Sequence, residues 1–254
     1  MNYYCYLGCG VLAREVYQAV SKTESKLDLR MLPSGLHEQP TRLHQILQDE
    51  IDRIEAINVS LERSPHTPEV YQAVLLGFGL CNKAVAGLRS TRVPLVIPRA
   101  HDCLTLLLGS KEKYRELFDQ DPASYWFSSG WIERMLPPGP ERDRMLVEKY
   151  SKAYGSENLQ FLMEQAQKWE KQYQSASLIT FGSTHDQYYR ELTQNCAGRL
   201  GWALREYSGS LDLLHELFSG NWLPQRFLVV QPGHEIIPSF DDQIITSKAT
   251  GVNI

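Results

Sequence analysis

Short unbroken apolar runs alternate along the chain with longer stretches whose apolar residues recur every three or four positions. The first run, over residues 3–9, ends in Gly8-Cys9-Gly10. Leu12, Val16 and Val20 then share one helical face, which predicts a helix over about 12–21. A second strand over 27–32 closes on Pro33-Ser34-Gly35, and Leu43, Ile46, Leu47, Ile51 and Ile54 predict a helix over about 39–57. A loop is expected at 64–68. Residues 73–81 read as a strand running into a glycine-rich turn, and 95–98 as a buried strand ended by Pro98. Further strands are predicted at 177–181 and 227–230, with one long helical stretch over 185–217 between them and an extended or frayed tail over 239–254. Strands alternating with helices across short turns predict an α/β fold: a doubly wound, mostly parallel sheet of Rossmann-like units. Residues 110–175 break this rhythm and read as a helical, aromatic-rich insertion, so the 254 residues form either a single α/β domain or two closely packed lobes.

Composition narrows the class without choosing a chemistry. A chain with 43% hydrophobic and 22% charged residues is an ordinary globular one. A net charge of −4 gives no electrostatic case for nucleic acid or an anionic membrane surface. No apolar run has the length of a membrane span, and the polar-aromatic start lacks the features of a signal peptide. The expected location is the cytoplasm. Five cysteines, an odd number in a chain without an export signal, argue against a disulfide framework.

The chemistry-bearing residues recur at the ends of the predicted strands. Cys9 ends the first and Cys81 follows the third, while His101 and Cys103 follow the fourth. His185-Asp186 and His234-Glu235 follow the last two. In a parallel sheet all of these lie along one edge, where open α/β folds bind their ligands. Cys103 also opens a helix, whose dipole favours thiolate. Three thiols and an imidazole suit a tetrahedral zinc site or an iron site, so Cys9, Cys81, His101 and Cys103 are the candidate ligands of one metal ion. Glu235 and His234 are candidate acid–base groups at the same edge, and Arg99 is a candidate anchor for an anionic substrate group. Cys5 and Cys196 lie among apolar residues and read as core.

Two other motifs are set aside or left open. Gly8-Cys9-Gly10-Val11-Leu12-Ala13 fits the dinucleotide fingerprint, but the strand that should end in an acidic residue ends in Met31-Leu32-Pro33. Tyr125-Trp126-Phe127 with Trp131 is either a satellite core or the wall of a pocket for a flat ligand.

Gly77-Phe78-Gly79-Leu80-Cys81-Asn82, the run from Pro94 to Cys103, and Leu107-Leu108-Gly109-Ser110 together resemble domain of unknown function family 1638. Gly130-Trp131-Ile132-Glu133 and Pro232-Gly233 extend the resemblance over most of the chain. The family's cysteine and His-Asp-Cys positions fall on Cys81, His101 and Cys103, with Cys9 in a weaker part of the pattern. Lys83 departs from it, standing where a small residue is expected. Members occur near genes of corrinoid-dependent methyltransferases. The resemblance therefore implies a zinc-dependent methyl or alkyl transfer to a thiol or with a corrinoid partner. The alternatives are a non-enzymatic metal carrier or maturation factor for a methyltransferase or corrinoid protein, and metal-free thiol chemistry at Cys103 with His101 as base.

Overall fold

A computed structural model describes residues 1–63 and 69–251. The expected loop at 64–68 and the last three residues of the expected tail lie outside the described residues. In chain order the regular elements are β1 (Tyr3–Cys9), α1 (Ala13–Val20), β2 (Lys26–Leu32), α2 (Pro40–Glu62), β3 (Ala73–Gly77), β4 (Leu95–Pro98), α3 (Cys103–Leu108) and α4 (Lys111–Gln120). They continue with β5 (Ser124–Ser128), α5 (Ser129–Arg134), α6 (Pro140–Tyr154), α7 (Leu159–Gln167), β6 (Ser175–Thr180) and α8 (Asp186–Leu200). The last are β7 (Ala203–Ser208), α9 (Asp212–Ser219), β8 (Phe227–Val230), β9 (His234–Pro238) and β10 (Ile245–Ala249). The chain divides into two compact units. One comprises Met1–Tyr114 with Ser210–Ile254, the other Arg115–Gly209.

The first unit is built on a five-stranded sheet of order β2-β1-β3-β4-β8. Its first four strands are parallel and β8 runs antiparallel at the edge. β3 and β4 are buried along their whole length, which is why they read as continuous apolar runs rather than alternating ones. β1 turns left to β2 while the chain later returns to β3 on its right. Right-handed crossovers then place α1 and α2 on opposite faces, the doubly wound arrangement. A separate hairpin pairs β9 with β10, so part of the expected tail is a regular strand.

α2 outruns its apolar signal, reaching Glu62 instead of 57. The extension begins with a buried polar residue, Asn58, that has partners of its own. Asn58 clamps the backbone of Tyr71, donating to its carbonyl (2.9 Å) and accepting from its N–H (2.8 Å). Glu55, one turn earlier, accepts from the Ser90 hydroxyl (2.5 Å), from the Thr91 hydroxyl and N–H (both 2.8 Å), and from the Arg92 N–H (2.6 Å).

The second unit has its own parallel sheet, β5-β6-β7. The strand expected at 177–181 is therefore β6 of this sheet and not a member of the main one. The long helix expected over 185–217 is interrupted by β7. Gly201, in the left-handed region (φ 70°), stops α8, and the nearly all-exposed β7 lacks the apolar alternation by which strands are recognised. Phe127, Leu178 and Trp202 join a buried cluster, with Tyr125, Trp131 and Trp169 packed against it. Tyr125 touches five other aromatic rings at centroid distances of 5.1–5.6 Å. The aromatic run is thus this unit's core. Among the described residues no helix is long and apolar enough to cross a membrane.

Candidate functional site

The crevice between β1 and β3 is where the strand order reverses, and open α/β sheets expose their binding sites there, beyond the carboxyl ends of the strands. β1 delivers Cys9 to this point. β3 ends at Gly77, and the chain continues through Gly79 to Cys81. Gly79 has to lack a side chain, since a Cβ there would sit 2.5 Å from the backbone nitrogen of Asp102. With that close approach the two turns zip together. Leu80 N–H donates to the Ala100 carbonyl (2.8 Å) and Cys81 N–H to the His101 carbonyl (3.0 Å). Asp102 caps α3 by accepting from Leu104 N–H (2.9 Å), which sets Cys103 as the helix's first residue.

Cys9, Cys81 and Cys103 are brought together by these turns. Cys9 and Cys81 are buried and Cys103 is partly exposed. The side chain of Cys103 is hydrogen-bonded to Cys81 and to Cys9. Those two bonds, followed by burial, hold its thiol well above its ordinary pKa. These effects oppose the pull toward thiolate that a helix start exerts. α3 is only six residues long and already capped by Asp102. Among the described residues no three His, Cys, Asp or Glu side chains stand in the arrangement of a formed metal site.

Cys81 also opens a run of three consecutive non-glycine residues in the left-handed region: Cys81 (φ 45°), Asn82 (φ 56°) and Lys83 (φ 67°). Each costs roughly 1–2 kcal/mol relative to ordinary backbone. Strain of this kind collects at functional sites. Asn82 offsets part of it by donating to the His37 carbonyl (3.1 Å).

The other candidates are placed as follows. His101 is exposed, with its imidazole beside Asp102. Burial pushes the Asp102 carboxyl up, against hydrogen bonds from Leu104, Tyr114 and Thr105. His234 and Glu235 do not reach this edge. β8 is antiparallel, with Val230 opposite Leu95 at the start of β4, so the chain leaves it at the far end of the sheet. There Glu235 pairs with Lys248 (3.1 Å). Arg99 is occupied by carbonyls, donating to Pro224 (2.7 Å), Gln243 (3.0 Å) and Ile245. His185 belongs to the second unit. Cys5 is fully buried and pushed up to about 12, and Cys196 is pushed up to about 11, in both cases by burial.

Two residues without a role in the sequence reading belong to the site. Tyr6 is wholly buried. Burial, then Cys103, Cys9 and Glu15, hold its phenol well above the ordinary value, so it remains an O–H donor. Among the described residues its hydroxyl has no hydrogen-bond partner. Glu15 is 2% exposed on the buried face of α1, with Leu12, Val16 and Ala19. Its spacing, three residues after Leu12 and four before Ala19, was the available signal.

The family described as Protein of unknown function (DUF1638) matches residues 31–218. No curated protein and no solved structure matches the chain.

Proposed function

The chain belongs to the DUF1638 family, and we propose that its function is carried by a thiol centre that holds one soft metal ion, zinc first and iron second, through Cys9, Cys81 and Cys103. The observation that supports this most is the hydrogen bonding of Cys103 to both other thiols at the switch point of the sheet. A set of three sulfur donors suits such an ion and no hard cation. His101, exposed two residues before Cys103, is the exchangeable candidate for a fourth place. When bound, an ion of this kind lowers the pKa of an incoming thiol and keeps it nucleophilic.

The chain's own residues have separate tasks in this reading. The zipped turns of Gly79–Cys81 and Ala100–Cys103 fix two sulfurs against each other, and Cys9 supplies the third from β1. The finer proposal is a cytoplasmic methyl or alkyl transfer involving a small thiol, together with a corrinoid protein or methyltransferase. It rests on the gene neighbourhoods that the family resemblance implies. A closed site without an exchangeable position would instead suit a metal carrier or maturation factor. A second reading, metal-free thiol chemistry at Cys103 with His101 as base, draws on the partial exposure of that cysteine beside two buried ones.

Elemental analysis after anaerobic, untagged purification decides between the two. The expected result is about one metal ion per chain, strongly reduced in Cys81→Ser and Cys103→Ser and unchanged in Cys196→Ser. Metal-free protein that also fails to take up added zinc would overturn the metal centre and leave the thiol reading.

A further inference from the structure

β2 is the last strand on its side of the main sheet, and its register with β1 decides what its outer edge offers. Lys26 N–H donates to the Asn2 carbonyl (2.8 Å). In the parallel pairing the backbone groups of Lys26, Asp28, Arg30 and Leu32 therefore point to β1. Those of Leu27, Leu29 and Met31 alternate with them and point away from the sheet. Among the described residues no backbone bond meets these outward groups. Leu27, Leu29, Met31 and Leu32 are only half-buried, whereas β3 and β4 are buried throughout. A strand of seven residues with an apolar, unpaired outer edge is a template for another strand.

The sequence of this strand is complementary to itself. Two copies run in opposite directions about Leu29 place Asp28 opposite Arg30, Leu27 opposite Met31, and Leu29 opposite its own counterpart. In that register the outward residues of each copy exchange both backbone bonds with those of the other. Asp28 and Arg30 then fall at the closer, non-hydrogen-bonded pairs, where opposite charges attract. Centring the pair on Asp28 or on Arg30 instead sets like charges face to face, so charge selects the Leu29 register. Both groups have capacity left. Asp28 uses one oxygen, Oδ2, for the Tyr3 (2.7 Å) and Tyr71 hydroxyls, and Arg30 gives one nitrogen to Glu50 (2.7 Å). We propose that β2 is the edge at which two copies of this chain associate, antiparallel about Leu29, joining their five-stranded sheets into one. Such a twofold contact is closed and stops at the dimer. It uses none of the three thiols, so it stands or falls separately from the function proposed above.

The test is sedimentation of the full chain over a wide range of micromolar concentrations, beside Leu29→Pro. Proline at this position removes the central outward N–H and leaves the bonds between β2 and β1 in place. The wild type should pass from monomer to dimer as concentration rises. Leu29→Pro should weaken the association by about tenfold or more, with an unchanged circular dichroism spectrum. A wild type that stays monomeric over the whole range overturns the proposal. So does a dimer that folded Leu29→Pro forms equally well, since its interface then lies elsewhere. Should Leu29→Pro not fold, amide hydrogen exchange of the wild type decides. The amides of Leu27, Leu29 and Met31 should exchange more slowly as the dimer fills. Exchange there that is the same in monomer and dimer overturns the β2 contact.

Discussion

Gly8 and Gly77 stand opposite one another in the register of β1 and β3, and the Tyr6 ring lies across both. A methyl group at either position would overlap that ring. Gly77→Ala is therefore expected to destabilise the protein by about 1–3 kcal/mol, as overpacking does. Urea denaturation measures this. The double variant Gly77→Ala with Tyr6→Ala should recover part of the loss, because it reopens the slot. No recovery would mean that Gly77 is needed for its backbone and not for the ring.

Glu55 ties α2 to the turn at Ser90–Arg92. Burial raises its carboxyl pKa, but hydrogen bonds from Ser90, Thr91 and Arg92 outweigh that and hold it below the ordinary value. A folded pKa below the unfolded one gives stability that is complete above the unfolded value and is lost as pH falls through the folded one. Glu55→Gln should thus be less stable than wild type at neutral pH by about 1–3 kcal/mol. The gap should narrow on acidification below the ordinary carboxylate range. Thermal melts across that range are the check, and a gap independent of pH would contradict the assignment.

Lys83 sits at φ 67° at the end of the left-handed run. Glycine adopts this backbone without steric cost, though its greater freedom in the unfolded chain returns about 0.5–1 kcal/mol. Lys83→Gly should leave stability level or raise it slightly. Lys83→Val should lower it by more than about 1 kcal/mol, because a branched side chain is poorly suited to this region. Equal melting temperatures for the two variants would show that the turn relaxes around the residue.

Arg99 straps three carbonyls that lie more than a hundred residues from it in sequence. Arg99→Ala is expected to cost about 1–3 kcal/mol, since charge-assisted hydrogen bonds are lost. Amide exchange over Ile245–Ala249 should speed up, while cobalt binding and Cys103 labelling stay as in wild type. A loss of cobalt binding without faster exchange would return Arg99 to the site.

The parallel core was legible because strands buried on both faces have to be apolar throughout, as 73–77 and 95–98 are. The three thiols could be located because each follows such a strand. The direction of β8 was not legible. Phe227–Val230 would be equally apolar in either sense, and reversing it moves His234 and Glu235 to the other end of the sheet. Tyr6 and Glu15 were missed for a related reason: each occupies an apolar-facing position, where a single polar residue looks like noise in a periodic pattern. β5 and β7 lay inside stretches that read as helical. Charge and exposure along β7 conceal its alternation.

The first unit is discontinuous in sequence, and this gives its synthesis an order. The ribosome completes β1 to β4 and all three cysteines of the centre, then makes Arg115–Gly209 before it reaches β8. At bacterial to eukaryotic elongation rates that interval lasts roughly 5–20 s. Throughout it the outer edge of β4, a fully apolar strand, has no neighbour to pair with and is open to pairing with another chain. Slower translation therefore lengthens the time for which that edge waits for β8.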